Sequence, residues 1–529
     1  MAEALDCEPV DVAVVGAGFA GGAFTARLAE QAPGLRILCL ERGGWVDRAA
    51  MPARSRQWQR AAVGAWASSP NLRLKAGGNP FSADYPIDDS GSALKPLMWN
   101  GVGGSTVNWA AHFPRLHPSD FRTRSLDGVG EDWPFGYDAL EPYYDLNDRM
   151  MGVSGLAGDP AYPPKPARAQ PPLALGRLGI AAARGFDRLG WHWWPVDAAV
   201  NSQSHGGRPG CNRCGPCLIG CVSGAKASVD LTYWPRALAG GVELRTGAIV
   251  QQVIVEAGRA TGLLYRGADG RDYRQPAGCV VIAGNGIGTA RLLLASGIES
   301  PALGRHLMYH PVAYARGMFA EAMDGPAGPV GCAIYSHEFY ETDAKRGFKR
   351  GIHLQVTREN ALLLQALRLE RSWGEALPRA LREEFHHSIP VLITVEDLPE
   401  PENRVTLTTN AECDGLPGVK VDYRLSEDSR RMLDFGLDRA EEMLRAAGAH
   451  RVVRVPLAPL TGWHLLGTAR MGPDPATAVT DASGRCHGVA DLRIVDGSIF
   501  PTVGAVNPGS TIGALALKLA DDLAREIGT

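Results

Sequence analysis

Cys211, Cys214, Cys217 and Cys221 stand in one short stretch, spaced C-x2-C-x2-C-x3-C. Thiolate sulfur is a soft metal ligand, and this spacing is that of a ferredoxin run, with Val222 where proline usually follows the last cysteine. The sharper expectation is an iron–sulfur cluster on these four side chains. Two others stay open. Disulfides or free thiols fit if the protein leaves the reducing cell; zinc fits less naturally, because its structural sites normally use two knuckles separated by a longer loop. Cys7, Cys39, Cys279, Cys332, Cys413 and Cys486 are scattered, and are expected to be small buried hydrophobes.

A second constellation lies near the start. Gly16, Gly18 and Gly21 form G-x-G-x-x-G directly after the apolar run DVAVV and at the start of a helical pattern. In that context the first glycine makes a tight turn, the second lets backbone approach a pyrophosphate, and the third allows close helix–sheet packing. The helix N-terminus then faces the phosphate charge. Glu41 closes the next apolar run, LRILCL, where its carboxylate can accept hydrogen bonds from a ribose and disfavours a 2′-phosphate. The motif alone leaves NAD and FAD equally open.

These groups need elements to position them. DVAVV, the glycine turn, a helix and LRILCL predict a βαβ unit. Residues 42–100 are irregular and rich in glycine, proline and tryptophan, as a covering loop would be. Proline is too dense in PAYPPKPARAQPP (Pro160–Pro172) for helix or central strand, which predicts a surface connection. Strands over Val253–Val255, Leu263–Tyr265 and Cys279–Ala283 are expected to return to the first unit, and residues 310–455 form a separate block. Trp191, Trp193 and Trp194 are expected in a core. The last helix should keep Ile512, Leu515, Ala516 and Leu519 on one face, with Lys518, Asp521 and Asp522 elsewhere.

At 529 residues the chain exceeds the ~250–300 at which one core stops growing, so two or more units are expected. A net charge of −3 gives no reason to expect binding to nucleic acid or acidic lipid. No window reaches the ~18 apolar residues of a membrane span, and MAEALDCEPV lacks the basic and then apolar regions expected of a signal peptide. The expected location is cytoplasmic, or periplasmic or membrane-associated if the folded chain is exported with a partner subunit.

Beyond these patterns, ordered segments along nearly the whole chain resemble the glucose–methanol–choline (GMC) family of FAD-dependent oxidoreductases. They are GVGGSTVNWAAHFPR (Gly101–Arg115), VVIAGNGIGTARLLLASGI (Val280–Ile298), GRHLMYHP (Gly304–Pro311), EDLPEPENRVTL (Glu396–Leu407), WHLLGTARMG (Trp463–Gly472) and HGVADLRIVDGSIFPTVGAVNPGSTIGALALKLADDL (His487–Leu523). The resemblance implies an α/β fold (α+β overall): a Rossmann-like FAD-binding domain from residues 8–115, 225–310 and 456–529, and a substrate-binding domain on an antiparallel sheet, residues 311–455. Residues 116–224 would be a cysteine-rich connection. It further implies that Gly103 and Gly104 lie in the loop along the flavin, with Asn108 near flavin or pyrophosphate. Val250 would present backbone to the adenine, and Asp496 and Gly497 would touch the ribityl–phosphate portion.

In that family the base is the histidine of H-x-x-G-T, here His464, and its partner is Asn507, 43 residues on. His464 would take the proton of a substrate hydroxyl while hydride leaves the carbinol carbon for flavin N5, and Asn507 would hold the oxygen. The helix after Asn507 would aim its N-terminus at the flavin ring. His112, His306, His310 and His487 are expected to be structural. The resemblance extends to catalytic subunits of bacterial sugar dehydrogenases, some of which carry a [3Fe–4S] cluster, making Cys211, Cys217 and Cys221 the expected ligands. Cys214 departs from that pattern and leaves [4Fe–4S] open. A small accessory subunit and a cytochrome acceptor would follow. The competing expectations are an alcohol oxidase using dioxygen, with structural cysteines, and a non-redox flavoprotein or lyase.

Overall fold

A computed structural model describes residues 4–55, 57–359, 374–408 and 414–528. Its first sheet grows from the βαβ unit. The strands Val10–Val15 and Ile37–Glu41 pair in parallel, extended on one side by Glu243–Thr246 and on the other by Asp272–Ile282 and Leu492–Ile494. Val12, Val14, Leu38 and Leu40 are buried, the near-continuous apolar pattern of a parallel sheet covered on both faces. The long strand Asp272–Ile282 also pairs, at its start, with the antiparallel meander Ile249–Glu256 and Arg259–Arg266.

The helix Phe19–Gln31 covers this sheet and packs on the last helix, Gly509–Ile527, which in turn packs on Tyr137–Met151. Leu515, Ala516 and Leu519 are buried as expected, but so are Ala514, Leu517, Ala520 and Leu523, because this helix is enclosed by neighbours. Its charged residues are matched locally: Lys518 pairs with Asp522 at 2.7 Å and Asp521 with Arg27 at 2.6 Å.

The second sheet is antiparallel, ordered Arg451–Val455, Val312–Met318, Ser388–Val395, Ile352–Arg358, Gly331–Ser336 and Trp194–Pro195. Ile352, Leu354, Val356, Ile389, Val391 and Ile393 point into a core with the helices Glu427–Ala446 and Gly176–Leu189. The period of two sends His353, Gln355, Thr357, Leu392 and Thr394 to the opposite face. That face is buried as well. Trp191 and Trp193 pack half-buried against the same core, and Trp194 begins the edge strand. Between Met151 and Gly176 no regular element forms. Among the described residues no helix is long and apolar enough to cross a membrane.

Close helix packing generates one expected outcome. A Cβ on Gly513 would overlap the buried Asn147 amide and lie 2.8 Å from the Phe19 ring. Gly513→Ala should cost about 1–3 kcal/mol of stability, measurable as a lower urea midpoint with an unchanged slope; an unchanged midpoint would mean that the packing there has slack.

Candidate active site

Strands Val10–Val15, Ile37–Glu41, Asp272–Ile282 and Leu492–Ile494 end side by side, and at their carboxyl ends lies one cavity of about 430 Å³. Such a crevice is where parallel sheets bind ligands. Gly16, Gly18, Glu41, Gly104, Asn108, Val250, Asp496, Gly497, His464 and Asn507 all line it. Gly21 and Gly103 stand behind the lining and shape it.

Gly16 has φ +102°, and a Cβ there would sit 2.6 Å from the Ala283 carbonyl oxygen. A Cβ on Gly21 would overlap the Gly16 carbonyl, so the third glycine seats the helix on the turn. Gly103 has φ +92° and donates its N–H to Ala17 O at 2.9 Å. A Cβ on Gly104 would lie 2.7 Å from Gly18 Cα, so the two glycine turns touch backbone to backbone. Glu41 accepts the N–H of Ala17 at 2.7 Å and of Gly43 at 2.8 Å, one on each carboxylate oxygen. Each oxygen keeps acceptor capacity for a ribose. Asp496 accepts the N–H groups of Asn285 and Ser498 at 2.9 and 2.8 Å and the Thr289 hydroxyl at 2.6 Å, which fixes the turn at Gly497.

The chemistry of this lining fits a flavin dinucleotide. Backbone without side chains is exposed where a pyrophosphate must approach, and Asn108 Nδ2 is a buried donor with no partner among the described residues. Leu97, Met98 and Trp99, from the irregular stretch expected as a covering loop, close the cavity from the outside.

At the reacting end the hydrogen-bond pattern determines which nitrogen carries each proton. His310 Nε2 lies 2.9 Å from the carbonyl of Gly504, and a carbonyl can only accept. His310 is neutral, its pKa pushed down to about 4 by burial, so its Nδ1 is bare. Nδ1 of His464 stands 2.9 Å from that nitrogen and must donate to it. Burial, and then the neighbouring His310, hold His464 well below its ordinary pKa, so it too is neutral. Its Nε2 is therefore a bare lone pair. Asn507 Nδ2 lies 3.5 Å from that nitrogen. One acceptor and one N–H donor meet at one point in the cavity, which is what an alcohol oxygen needs when its proton is removed.

His112 joins them. It lines the cavity, and its Nδ1 donates to Gln355 Oε1 at 2.8 Å, leaving Nε2 bare. The Gln355 amide is oriented by its own N–H bond to Thr394 Oγ1 at 2.8 Å. Sequence reasoning placed His112 and His310 among structural histidines; the structure brings both into the site. His310 sits in GRHLMYHP and Gln355 on a strand of the second sheet, and nothing in either local pattern signals a place at this site. His306 and His487 stay outside, each facing a backbone carbonyl.

Cys211, Cys214, Cys217 and Cys221 are free thiols, and among the described residues no three His, Cys, Asp or Glu side chains stand grouped as ligands of a metal ion. The loop turns at Arg213, φ +58°, and Gly215, φ +105°, and leaves Cys214 exposed and Cys217 buried. Cys39, Cys279, Cys332 and Cys486 are buried and Cys7 is half-buried, while Cys413 lies outside the described residues.

Comparison with known proteins agrees with this geometry. Two family models described as GMC oxidoreductase match residues 93–312 and 399–516. The chain is 37% identical to a 2-methyl-1,2-propanediol dehydrogenase of Mycolicibacterium austroafricanum, over 98% of this chain and 96% of that one. It is 28% identical to the fructose dehydrogenase large subunit of Gluconobacter japonicus, over 98% of each. The fold is similar to that of a pyridoxine 4-oxidase from Mesorbium loti, with TM-score 0.68 and 18% identity, covering 97% of this chain and 99% of that one.

Two outcomes are expected at the reacting end. Because the pKa of His464 lies well below the ordinary value of about 6.5, a reaction that uses it as base should keep kcat/KM level as pH falls through 6.5 and lose it only at lower pH; an acid limb centred at or above 6.5 would contradict the assigned environment. His310→Ala frees His464 to take the other tautomer, and kcat should fall on the order of 10²-fold with the bound flavin spectrum retained.

Proposed function

Because the chain belongs to the GMC oxidoreductase family, whose members act with FAD on CH–OH groups, we propose that it is a dehydrogenase of a polyol, sugar or related alcohol. The observation that carries this reading is the pairing of the bare His464 Nε2 with the Asn507 N–H across one point of the cavity. FAD, when bound, supplies the acceptor for the hydride. Gly16, Gly18, Glu41, Gly104, Asn108, Val250, Asp496 and Gly497 would hold it.

The chain's own groups do the rest. His464 Nε2 receives the hydroxyl proton, which raises electron density at the carbinol carbon. Asn507 Nδ2 donates to the same oxygen and keeps it oriented without titrating. Tyr314 and Leu392 from the antiparallel sheet also line the cavity. The relatives' printed names favour small hydroxylated substrates, a diol in one case and a ketose sugar in the other.

Electron exit through a [3Fe–4S] or [4Fe–4S] cluster to an accessory subunit and a cytochrome is the finer part of the proposal. Its support is local. Sγ atoms of Cys211, Cys217 and Cys221 each accept a backbone N–H, from Arg213, Val330 and Lys226, at 3.4 Å, while Cys214 is exposed. Backbone N–H groups aimed at sulfur tune such clusters. Leu218, next to Cys217, lines the cavity. The second reading is an oxidase that reduces dioxygen, with structural cysteines. If the chain works with an exported partner, its place is periplasmic or membrane-associated; otherwise it is cytoplasmic.

The deciding measurement is anaerobic bleaching of the flavin by a panel of sugars, polyols, aliphatic and aromatic alcohols, with iron and sulfide assayed on anaerobically purified protein. Bleaching by a polyol or sugar, bound iron and sulfide, and dye reduction without peroxide are the expected results. Bleaching with stoichiometric peroxide and no iron would replace the dehydrogenase by the oxidase. Failure of every alcohol would remove the activity altogether.

A further inference from the structure

Behind the reacting centre runs a file of buried imidazoles that the proposed reaction does not use. His117 Nε2 lies 3.0 Å from His337 Nδ1, and His337 Nε2 lies 2.6 Å from His353 Nδ1. Outside, His117 Nδ1 faces Glu341 Oε1 at 3.4 Å, and the Glu341 side chain is 57% exposed. Inside, the His353 ring stacks at 5.2 Å on His112, which lines the cavity with Asn507 and His464. The file thus spans the distance from cavity wall to protein surface.

The carboxylate at the outer end gives the file a direction. Glu341 accepts, so His117 carries its proton on Nδ1 and its Nε2 accepts from His337 Nδ1–H. By the same rule His337 Nε2 accepts from His353 Nδ1–H. His353 Nε2 is then a bare lone pair, and it is a buried nitrogen with no partner among the described residues. His112 Nε2 and Asn507 Oδ1, on side chains close enough to interact, are likewise buried acceptors that no described donor satisfies. Three buried acceptors at the inner end are arranged to receive protons.

We propose that His353, His337 and His117 form a proton exit, carrying the proton removed from the substrate hydroxyl to Glu341 and solvent. This rests on the alcohol-oxidation reading of the same site. The substrate O–H bond breaks and an N–H bond forms on His464 Nε2. That N–H bond breaks as a water in the cavity takes the proton from His464 Nε2 and gives one of its own to His353 Nε2, which leaves the water unchanged. One N–H bond forms there, each ring hands on its Nδ1 proton, and the N–H bond of His117 Nδ1 breaks as Glu341 takes the proton. One proton enters and one leaves, with no change in oxidation state. A second passage requires the rings to regain the Nδ1–H tautomer, so the file delivers one proton per cycle.

The surroundings keep the two inner rings neutral at rest. Burial and the neighbouring imidazoles hold His337 and His353 far below the ordinary imidazole range. The charged and titratable groups packed around it are satisfied elsewhere: Asp159 by His192 and Tyr335, and Asp120 by Arg350 and Tyr340. His192 accepts the backbone N–H of His337 at 3.0 Å, which fixes the central ring's backbone.

Two measurements test the proposal on the flavin-bound enzyme. The first needs no substrate: 15N spectra of histidine-labelled enzyme should show His353 and His337 as Nδ1–H tautomers with bare Nε2, and an Nε2–H tautomer at either would overturn the file. In the second, an alcohol that bleaches the flavin is mixed with enzyme and a pH-indicator dye in stopped flow. H337Q should delay proton release on the order of tenfold behind flavin bleaching, while the wild type releases in step with it. E341A, at an exposed position where folding is not at stake, should make release depend on buffer concentration. Release in step with bleaching in both variants, without buffer dependence, would overturn the proposal. If no alcohol bleaches the wild type, the alcohol reading falls and the tautomer spectrum decides the file by itself.

Discussion

A single backbone carbonyl, that of Gly504, sets the protonation pattern of the reacting centre. It accepts from His310, which obliges His310 to accept from His464, which leaves the lone pair of His464 facing the cavity. The carbonyl is held where it must be. Gly504 has φ +61°, and a Cβ there would lie 2.8 Å from the carboxylate of Asp120, itself bound by Arg350. The next residue, Ala505, donates its N–H to the Tyr340 hydroxyl at 3.1 Å. Buried polar groups leave little freedom of this kind, because each unmade hydrogen bond costs about 1–3 kcal/mol. The base is thus set by an ordered sequence of donors and acceptors that begins in the main chain.

The two sheets divide the work by what they present. The parallel sheet offers strand ends and glycine turns, and its contribution to the cavity is largely backbone. The antiparallel sheet offers side chains at alternate positions, with His353, Gln355, Thr357, Leu392 and Thr394 on the buried face turned away from its helical core. Cofactor contacts of the first kind tolerate little change in local shape. Contacts of the second kind can change residue by residue while the sheet stays intact, which is where substrate preference within one architecture can vary.

Much of the frame was legible in the sequence for local reasons. DVAVV, the glycine turn and Glu41 state a βαβ unit within about thirty residues, because strand period, turn chemistry and helix pattern agree there. His464 and Asn507 were legible through family resemblance, since a lone histidine and a lone asparagine carry no pattern of their own. His112, His310 and the file from His117 to His353 were not legible. Their partners are brought together from as far as 243 residues away, in the bond between His112 and Gln355, and no local rule encodes that distance. The cysteines show the converse: a clear spacing motif, in a described loop that leaves one thiol exposed and another buried.

The contact between the two glycine turns bears on how the cofactor stays. Gly103 is bonded to Ala17, and Gly104 rests on Gly18, so a loop more than eighty residues downstream is clasped onto the phosphate turn. A dinucleotide enclosed this way leaves only after the clasp opens. Its residence time is therefore set by a local unfolding event as well as by the strength of its own contacts. A flavin held there would be a kinetically trapped part of the fold, and its loss on heating would report the opening of that loop.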